Sequence, residues 1–141
     1  YSCGHEFDLD GGIIIKTGQL NHPNGACGYR IEFEGKVIAI CTDTEHFEGR
    51  IDENVVALAE NADVMIYDAA YTDESYPNFK GWGHSTWQEA VKVANVANVK
   101  QTFLFHHDPS HNDDKMDEIA KEVAKEREGV RPAVEGETFI V

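Results

Sequence analysis

The feature of this sequence that most constrains its fold is a series of short apolar segments, most of which end at a polar residue. The longest runs, such as 37–41 and 102–105, are far too short to cross a bilayer. In the second half of the chain they alternate with segments whose apolar residues recur at helical spacing. Strands first, then helices alternating with strands, predict an α/β fold in which helices pack on a mixed β-sheet.

The turn-forming residues between these segments set the expected boundaries. The expected strands occupy residues 13–20, 26–34, 36–41, 64–67 and 101–105, with short closing strands near 130–134 and 138–141. A first helix is expected from 53 to about 61 with Asp52 as its cap, and a third from about 113 to 128, where Gly129 ends it. The second helix is expected to open at the capping box Ser85-Thr86-Trp87-Gln88.

The length of 141 residues suits a single domain with a real core, and the absence of Met at Tyr1 is typical of a fragment or a processed product. Three cysteines, Cys3, Cys27 and Cys41, stand at spacings that match neither a zinc motif nor a disulfide framework. Cys41 ends an apolar run and is predicted to be a small buried side chain. These features favour a reducing, cytoplasmic location, with no signal peptide and no membrane segment.

The charge balance limits the class of partner. A net charge of −14, from 12 basic and 26 acidic residues, disfavours nucleic-acid binding because such binding depends on Lys and Arg placed on phosphates. A small anionic substrate held by a metal ion remains compatible with this charge, because the ion dominates its own site. The alternative is that the acidic residues serve only to keep the protein soluble.

Polar residues follow the expected strands at the points where ligands are commonly bound. Asp43, Asp68 and His106 each come at the carboxyl end of an apolar strand, where α/β folds place their sites. Imidazole and carboxylate suit zinc, manganese or iron, and one carboxylate can bridge two cations. Taken singly, a histidine at a strand end is more often a hydrogen-bonding residue, and Asp43 could be a turn residue. Their combination favours a metal site.

The order of the longer motifs carries a resemblance to a known family. These motifs are His22 before Gly28-Tyr29-Arg30-Ile31, then Asp43-Thr44, Trp82-Gly83-His84-Ser85-Thr86-Trp87, and Phe105-His106-His107-Asp108-Pro109. From about Gly12 to Val134 the chain resembles the C-terminal half of the metallo-β-lactamase superfamily, within the group of ribonuclease Z and phosphoribosyl cyclic phosphodiesterase. The resemblance implies half of an αββα sandwich, with a mixed sheet and helices on one face.

The resemblance also implies roles for single residues. His22 would bind one metal ion, His106 the other, and Asp43 both. His84 would act on the substrate phosphate, with Asp68 as its acidic partner. The implied cofactors are two divalent ions, zinc or manganese, and the implied reaction is hydrolysis of a small phosphoester.

Two departures from the family pattern qualify this interpretation. The defining His-x-His-x-Asp-His motif is absent from residues 1–141, so the chain corresponds to a C-terminal half without its N-terminal partner. We therefore expect partial or no metal occupancy in this chain alone, since a metal usually needs four or more ligands. The connection from His22 to Asp43 is only a hairpin, where ribonuclease Z carries its tRNA-gripping arm, and this disfavours tRNA processing.

Other interpretations remain open at this point. The chain could be a non-catalytic half-domain that self-associates or pairs with a partner through its uncovered face, or a relative of di-iron oxidoreductases. His84 could simply hydrogen-bond the loop before a helix. His107, Asp108 and His111 could rim the site or form a solvated loop that caps the third helix.

The remaining aromatic and histidine residues have weaker interpretations. Tyr71, Tyr76, Phe79 and Trp82 could line a pocket mouth or pack against the sheet. His5 and His46 are expected at the surface.

Overall fold

The architecture, seen in a computed structural model that describes residues 3–141, is a seven-stranded sheet whose strands lie in chain order. Neighbouring strands are antiparallel up to the fourth and parallel from the fourth to the seventh. The strands are β1 (Glu6–Leu9), β2 (Ile13–Leu20), β3 (Ala26–Phe33), β4 (Lys36–Cys41), β5 (Val64–Asp68), β6 (Gln101–Phe105) and β7 (Val130–Pro132). The predicted α/β fold with a mixed sheet is confirmed.

Three α-helices provide the crossovers between the parallel strands: α1 (Glu53–Ala59), α2 (Trp87–Val96) and α3 (Asp113–Glu126), with a 3₁₀ turn at Tyr76–Asn78. Asp52 caps α1 as predicted, because its side chain accepts from two backbone N–H groups of the first turn. The cap of α2 is Thr86 and not Ser85. Thr86 accepts from the N–H of Glu89, whereas the N–H of Ser85 donates to Asp68.

The core lies between the sheet and the helices, and it contains one side of each central strand. Ala39, Cys41, Met65, Tyr67 and Leu104 are almost fully buried on this side. Their neighbours along the strands point the other way because side chains alternate across a sheet. That second face includes Ile40, Ile66, Phe103 and Phe105, which line a cavity of about 400 Å³ together with Val134 and Phe139 of the C-terminal segment.

The cysteine prediction is wrong in one respect. Cys3 and Cys27 form a disulfide, with their Cα atoms 5.7 Å apart, because the N–H of Gly4 bonds the carbonyl of Thr17 and brings the segment before β1 alongside β2 and β3. Linear spacing could not reveal this contact, and the argument for a reducing compartment loses its premise. Cys41 is free and buried, as predicted.

Both ends of the chain differ from the expected elements. The edge strand β1 was not predicted, because it is only four residues long and all four are exposed, although Phe7 and Leu9 alternate with acidic residues. Residues 138–141, expected as a strand, have no regular structure, and α3 ends at Glu126, two residues early. Tyr1, where the chain begins, lies outside the described residues. Among residues 3–141, no helix combines the length and apolar character needed to cross a bilayer.

Candidate metal centre

The candidate site lies at one edge of the sheet, where four strands end. Strands β2 and β4 are both antiparallel to β3, so they run in the same direction as the parallel strands β5 and β6. Their carboxyl ends therefore meet at one edge. His22, Asp43 and His106 follow β2, β4 and β6, and Asp68 is the last residue of β5.

The structure brings these residues together with His84, which comes from the loop before α2. One ligand atom each from His22, Asp43 and His84 lies within 4.8 Å of the others. Asp43 Oδ1 is 3.7 Å from His106 Nδ1, and the His84 and His106 rings are 4.4 Å apart. All five residues that the sequence suggested for metal and substrate thus surround one small volume.

Asp68 is the buried anchor of this group. Its Oδ2 lies 2.8 Å from His84 Nδ1 and accepts from the N–H of Thr44, while its Oδ1 accepts from the N–H groups of Ala70 and Ser85. Burial raises the pKa of Asp68, and the hydrogen bond and charge of His84 oppose that shift. The carboxylate therefore fixes the orientation of the His84 ring, so that its Nε2 is the atom left for a ligand.

Asp43 and His106 both have left-handed backbones, with φ of 57° and 61°. Such a conformation is uncommon for residues with a side chain, although Asp and His adopt it more readily than most. Backbone strain of this kind clusters at functional sites, where the surrounding structure enforces it. Two strained residues after β4 and β6, the strands on either side of β5, with side chains 3.7 Å apart, support a functional role for the pair.

The loop that carries His84 passes very close to His22. Gly83 has φ of +93°, and a Cβ atom there would overlap the His22 ring. Glycine is therefore required at this position for both its backbone conformation and its lack of a side chain. Gly83 thus fixes the distance between the His22 and His84 rings, whose centroids are 5.9 Å apart.

The donor set fits a divalent transition metal, since it consists of imidazoles and carboxylates that converge on one volume. His22, Asp43 and His106 could hold metal. These three side chains supply too few donors for two tetrahedral ions. Among residues 3–141, the groups that could complete either set are His84 and Asp68, which already bond each other.

Sequence reasoning missed two residues that surround this centre. Glu45 is only 7% exposed, and its carboxylate accepts from Tyr76, Gly81 and Gly83. No sequence signal could identify it, because these partners lie 31 to 38 residues away.

His46 was expected at the surface, and this is wrong. Its ring is half-buried against Tyr76 at 4.2 Å, and its Nδ1 lies 3.0 Å from Ser85 Oγ. Desolvation lowers the pKa of His46.

The polar segment after β6 lies beside the centre and outside its donor groups. His107 Nε2 lies 3.1 Å from the carbonyl of Leu104, and Asp108 accepts from the N–H of Ser110. Asn112 caps α3 directly after it. These contacts favour the interpretation of this segment as a loop that joins β6 to α3 over its interpretation as a rim of the site.

The aromatic residues of the loop after β5 divide into packed and exposed members. Tyr71 stacks on Phe79 at 4.4 Å, and both Tyr71 and Tyr76 are buried, so these residues pack the loop. Trp82 is 64% exposed beside the His84 loop.

Comparison with known proteins identifies the family. A family model described as the beta-lactamase superfamily domain matches residues 4–107. Ribonuclease Z of Picrophilus torridus is 38% identical over 80 residues, which are 56% of this chain and 24% of that protein. The chain therefore spans about a quarter of the length of this curated relative.

Solved structures agree with this assignment. The metallo-β-lactamase fold protein YhfI of Bacillus subtilis superposes with a TM-score of 0.76 at 19% identity, covering 94% of this chain and 51% of that one. The short form of human tRNase Z has a TM-score of 0.61 at 27% identity, covering 73% and 38%. The chain belongs to the metallo-β-lactamase superfamily and has its α/β fold.

Proposed function

We propose that this chain forms one half of a divalent-metal-dependent phosphodiesterase that hydrolyses a small phosphoester. The observation that carries the proposal is the convergence of five side chains: His22, Asp43 and His84 offer donor atoms within 4.8 Å of one another, as do Asp68, His84 and His106, and Asp43 Oδ1 lies 3.7 Å from His106 Nδ1. Membership of the superfamily and the likeness to ribonuclease Z support a hydrolytic, metal-dependent reaction.

The roles of the residues follow from their environments. Asp43 has a half-exposed carboxylate close to donor atoms of both His22 and His106, so it would serve both ions, with His22 on one ion and His106 on the other. When bound, divalent zinc or manganese would supply Lewis acidity, activating water and polarising the ester. His84, held by Asp68, would donate a hydrogen bond or a proton from Nε2 to the phosphate or the leaving oxygen.

We infer that residues 1–141 are a C-terminal half and that the complete centre needs a complementary half. The argument is that the present donors are too few for two ions, and that the matched structures are two to three times longer than the matched region. With this chain alone, metal binding is expected to be weak or partial and catalysis negligible.

A ribonucleic-acid substrate is the second candidate, because the curated relative is a ribonuclease Z. Against it stand the net charge of −14 and the short turn between β2 and β3, which leaves no extended arm in this region. The small phosphoester is therefore the preferred substrate class.

The proposal can be tested with this chain preceded by the complementary half of a family domain. We expect about two zinc or manganese ions per protein, hydrolysis of bis(p-nitrophenyl) phosphate, and no cleavage of precursor tRNA. Asp43→Asn should remove metal and lower activity about 10- to 100-fold or more. His84→Ala should keep the metal and lower kcat about 100-fold.

The matched control for Asp43 is Glu34→Gln, because Glu34 is also an acidic residue with a left-handed backbone, but lies in the exposed turn between β3 and β4. It should behave as wild type. Tightly bound iron with a visible absorption band would instead favour a redox protein. A complete protein that binds no metal would favour a non-catalytic interaction module and overturn the proposal.

A further inference from the structure

Glu45 has contacts with the segments that carry His22 and His84 but belongs to none of the metal-donor groups. It lies two residues after Asp43, between β4 and α1. Its carboxylate is buried, and among residues 3–141 no Lys or Arg forms a salt bridge with it. A buried carboxylate without a cationic partner is costly unless hydrogen-bond donors satisfy it. This arrangement therefore needs an explanation.

The donors that satisfy Glu45 all come from the loop before His84. Oε1 accepts from the hydroxyl of Tyr76 at 2.6 Å and from the N–H of Gly81 at 2.7 Å, and Oε2 accepts from the N–H of Gly83 at 2.9 Å. The pKa of Glu45 is raised by burial and lowered by these three donors, which prevail. These three hydrogen bonds fix the loop at Tyr76, at Gly81 and at Gly83, the residue before His84.

The backbone of Glu45 makes a second connection, to the turn that carries His22. The N–H of Glu45 donates to the carbonyl of Asn21 at 2.8 Å, and the side-chain amide of Asn21 donates to the carbonyl of Glu45 at 2.9 Å. Glu45 thus bonds the residue before His22 through its main chain and the residue before His84 through its side chain.

We infer that Glu45 is a positioning residue, whose buried carboxylate sets the spacing between the His22 and His84 imidazoles by fixing Gly83 against His22. Gly83 is the point where the two segments touch, since any Cβ there would overlap the His22 ring. The expected effect on catalysis rests on the proposed function, in which His22 would hold metal and His84 would act on the substrate. Its geometric part stands on the contacts alone.

The test uses Glu45→Gln and Glu45→Ala in the 141-residue chain, with Tyr76→Phe as a milder variant. All three partners are donors, so the amide of Gln must turn its NH₂ group toward one of them. Tyr76→Phe removes a single donor. The matched control is Glu89→Gln, because Glu89 is a similarly buried acid whose carboxylate bonds Lys92, outside the His84 loop.

The first readout is the nuclear Overhauser cross-peak between the His22 and His84 rings, measured against the cross-peak between His84 and His106 in the same spectrum. A displacement of about 1 Å, a scale that costs roughly 100-fold in rate, weakens the first peak about threefold. We expect this ratio to fall in Glu45→Gln and further in Glu45→Ala, and to be unchanged in Glu89→Gln. A structural role limited to stability would lower the melting temperature without moving the ratio.

The second readout is kinetic, in the protein that contains both halves. Glu45→Gln should lower kcat roughly 10- to 100-fold with KM within about threefold and with bound metal unchanged. Loss of activity that is equal in Glu89→Gln, or an unchanged cross-peak ratio in folded Glu45→Gln and Glu45→Ala, would overturn the inference. If wild type has no phosphodiesterase activity, the proposed function fails, and the cross-peak ratio alone decides the role of Glu45. Should Glu45→Ala not fold, Glu45→Gln and Tyr76→Phe give the same decision.

Discussion

At the scale of single residues, the main feature is a left-handed backbone at two candidate ligands. Asp43 and His106 adopt it directly after β4 and β6, where each chain must leave its strand and still direct a side chain toward the other. A conformation of this kind costs on the order of 1–3 kcal/mol unless glycine adopts it. The fold therefore carries a local cost at the place where function is proposed.

This strain gives a testable order of stability at His106. Replacing His106 by Gly should give a variant about 1 kcal/mol more stable than replacing it by Ala, because a Cβ atom is unfavourable in the left-handed region. Denaturant unfolding of the two variants measures the difference. At Phe105, which lies in a strand one residue earlier, the usual order should return, with Ala more stable than Gly. A more stable Ala variant at both positions would show that His106 is not strained.

The cysteines give a second prediction at this scale. Burial raises the pKa of the Cys41 thiol to about 12 from its ordinary value of 9.0, so its thiolate fraction at neutral pH falls about a thousandfold. Ellman's reagent should therefore find no reactive thiol in the folded, unreduced chain. It should find one in denaturant and three after reduction, since Cys3 and Cys27 are joined. Rapid labelling of the folded protein would contradict either the burial or the disulfide.

At the scale of elements, apolar and β-branched runs predicted β2 to β6 closely, whereas β1 was missed and the strand expected at 138–141 does not form. Strands β2, β4 and β6 begin and end as expected, because each contains an apolar or β-branched run between turn formers. The cap of α2 was misplaced by one residue, since Ser85 and Thr86 both match a cap and only their hydrogen bonds distinguish them. The N–H of Ser85 bonds Asp68, whereas the hydroxyl of Thr86 accepts from the N–H of Glu89.

The candidate site was predictable where it depends on strand ends and not where it depends on distant contacts. Asp43, Asp68 and His106 follow apolar runs, so their place at one edge follows from the chain order of the sheet. Glu45, His46 and the disulfide depend on pairings between residues far apart in the chain. A periodic pattern carries no record of such pairings.

The Asp63 carboxylate, which links segments of three strands, predicts that the stability of the fold depends on pH. The Asp63 carboxylate accepts from Lys100 Nζ at 2.7 Å and from the N–H of Val37 at 2.9 Å, linking β6, β5 and β4. The Lys100 bond, and then that of Val37, lowers the pKa of Asp63 below its ordinary value of 3.8. A lowered folded pKa means that this stabilisation is complete above pH 3.8 and is lost as the pH falls through the folded value.

The measurement compares the free energy of unfolding of wild type and Asp63→Asn across the acid range. The difference in favour of wild type should be largest near neutral pH and should disappear in strong acid. Lys100→Ala should reduce the same pH-dependent difference, because it removes the larger cause of the shift. A difference that stays constant down to the lowest pH would show that the charge of Asp63 has no such role.

At the scale of the whole molecule, one face of the sheet has no helix among the described residues to cover it. Paired residues share a face, so the register places Tyr29, Ile40, Ile66 and Phe103 in one row across β3 to β6. Tyr29 and Phe33 are each 43% exposed. A continuous apolar face of this kind is typical of an interface in a soluble protein.

The uncovered face predicts that the 141-residue chain self-associates when it is alone. Sedimentation velocity should give a dimer or larger species whose fraction increases with concentration, because burying this face is the available way to remove it from water. Introducing charge with Tyr29→Glu and Phe33→Glu should shift the chain to monomer. Val96→Glu is the matched control: Val96 is 61% exposed on α2, on the helix side of the sheet, and its variant should associate as wild type does.

The complementary half, supplied as a separate chain, should compete for the face and replace self-association with a one-to-one complex. A wild-type chain that stays monomeric at high concentration would show that this face is not an interface, and the inference of a half-domain would then lose its main physical consequence.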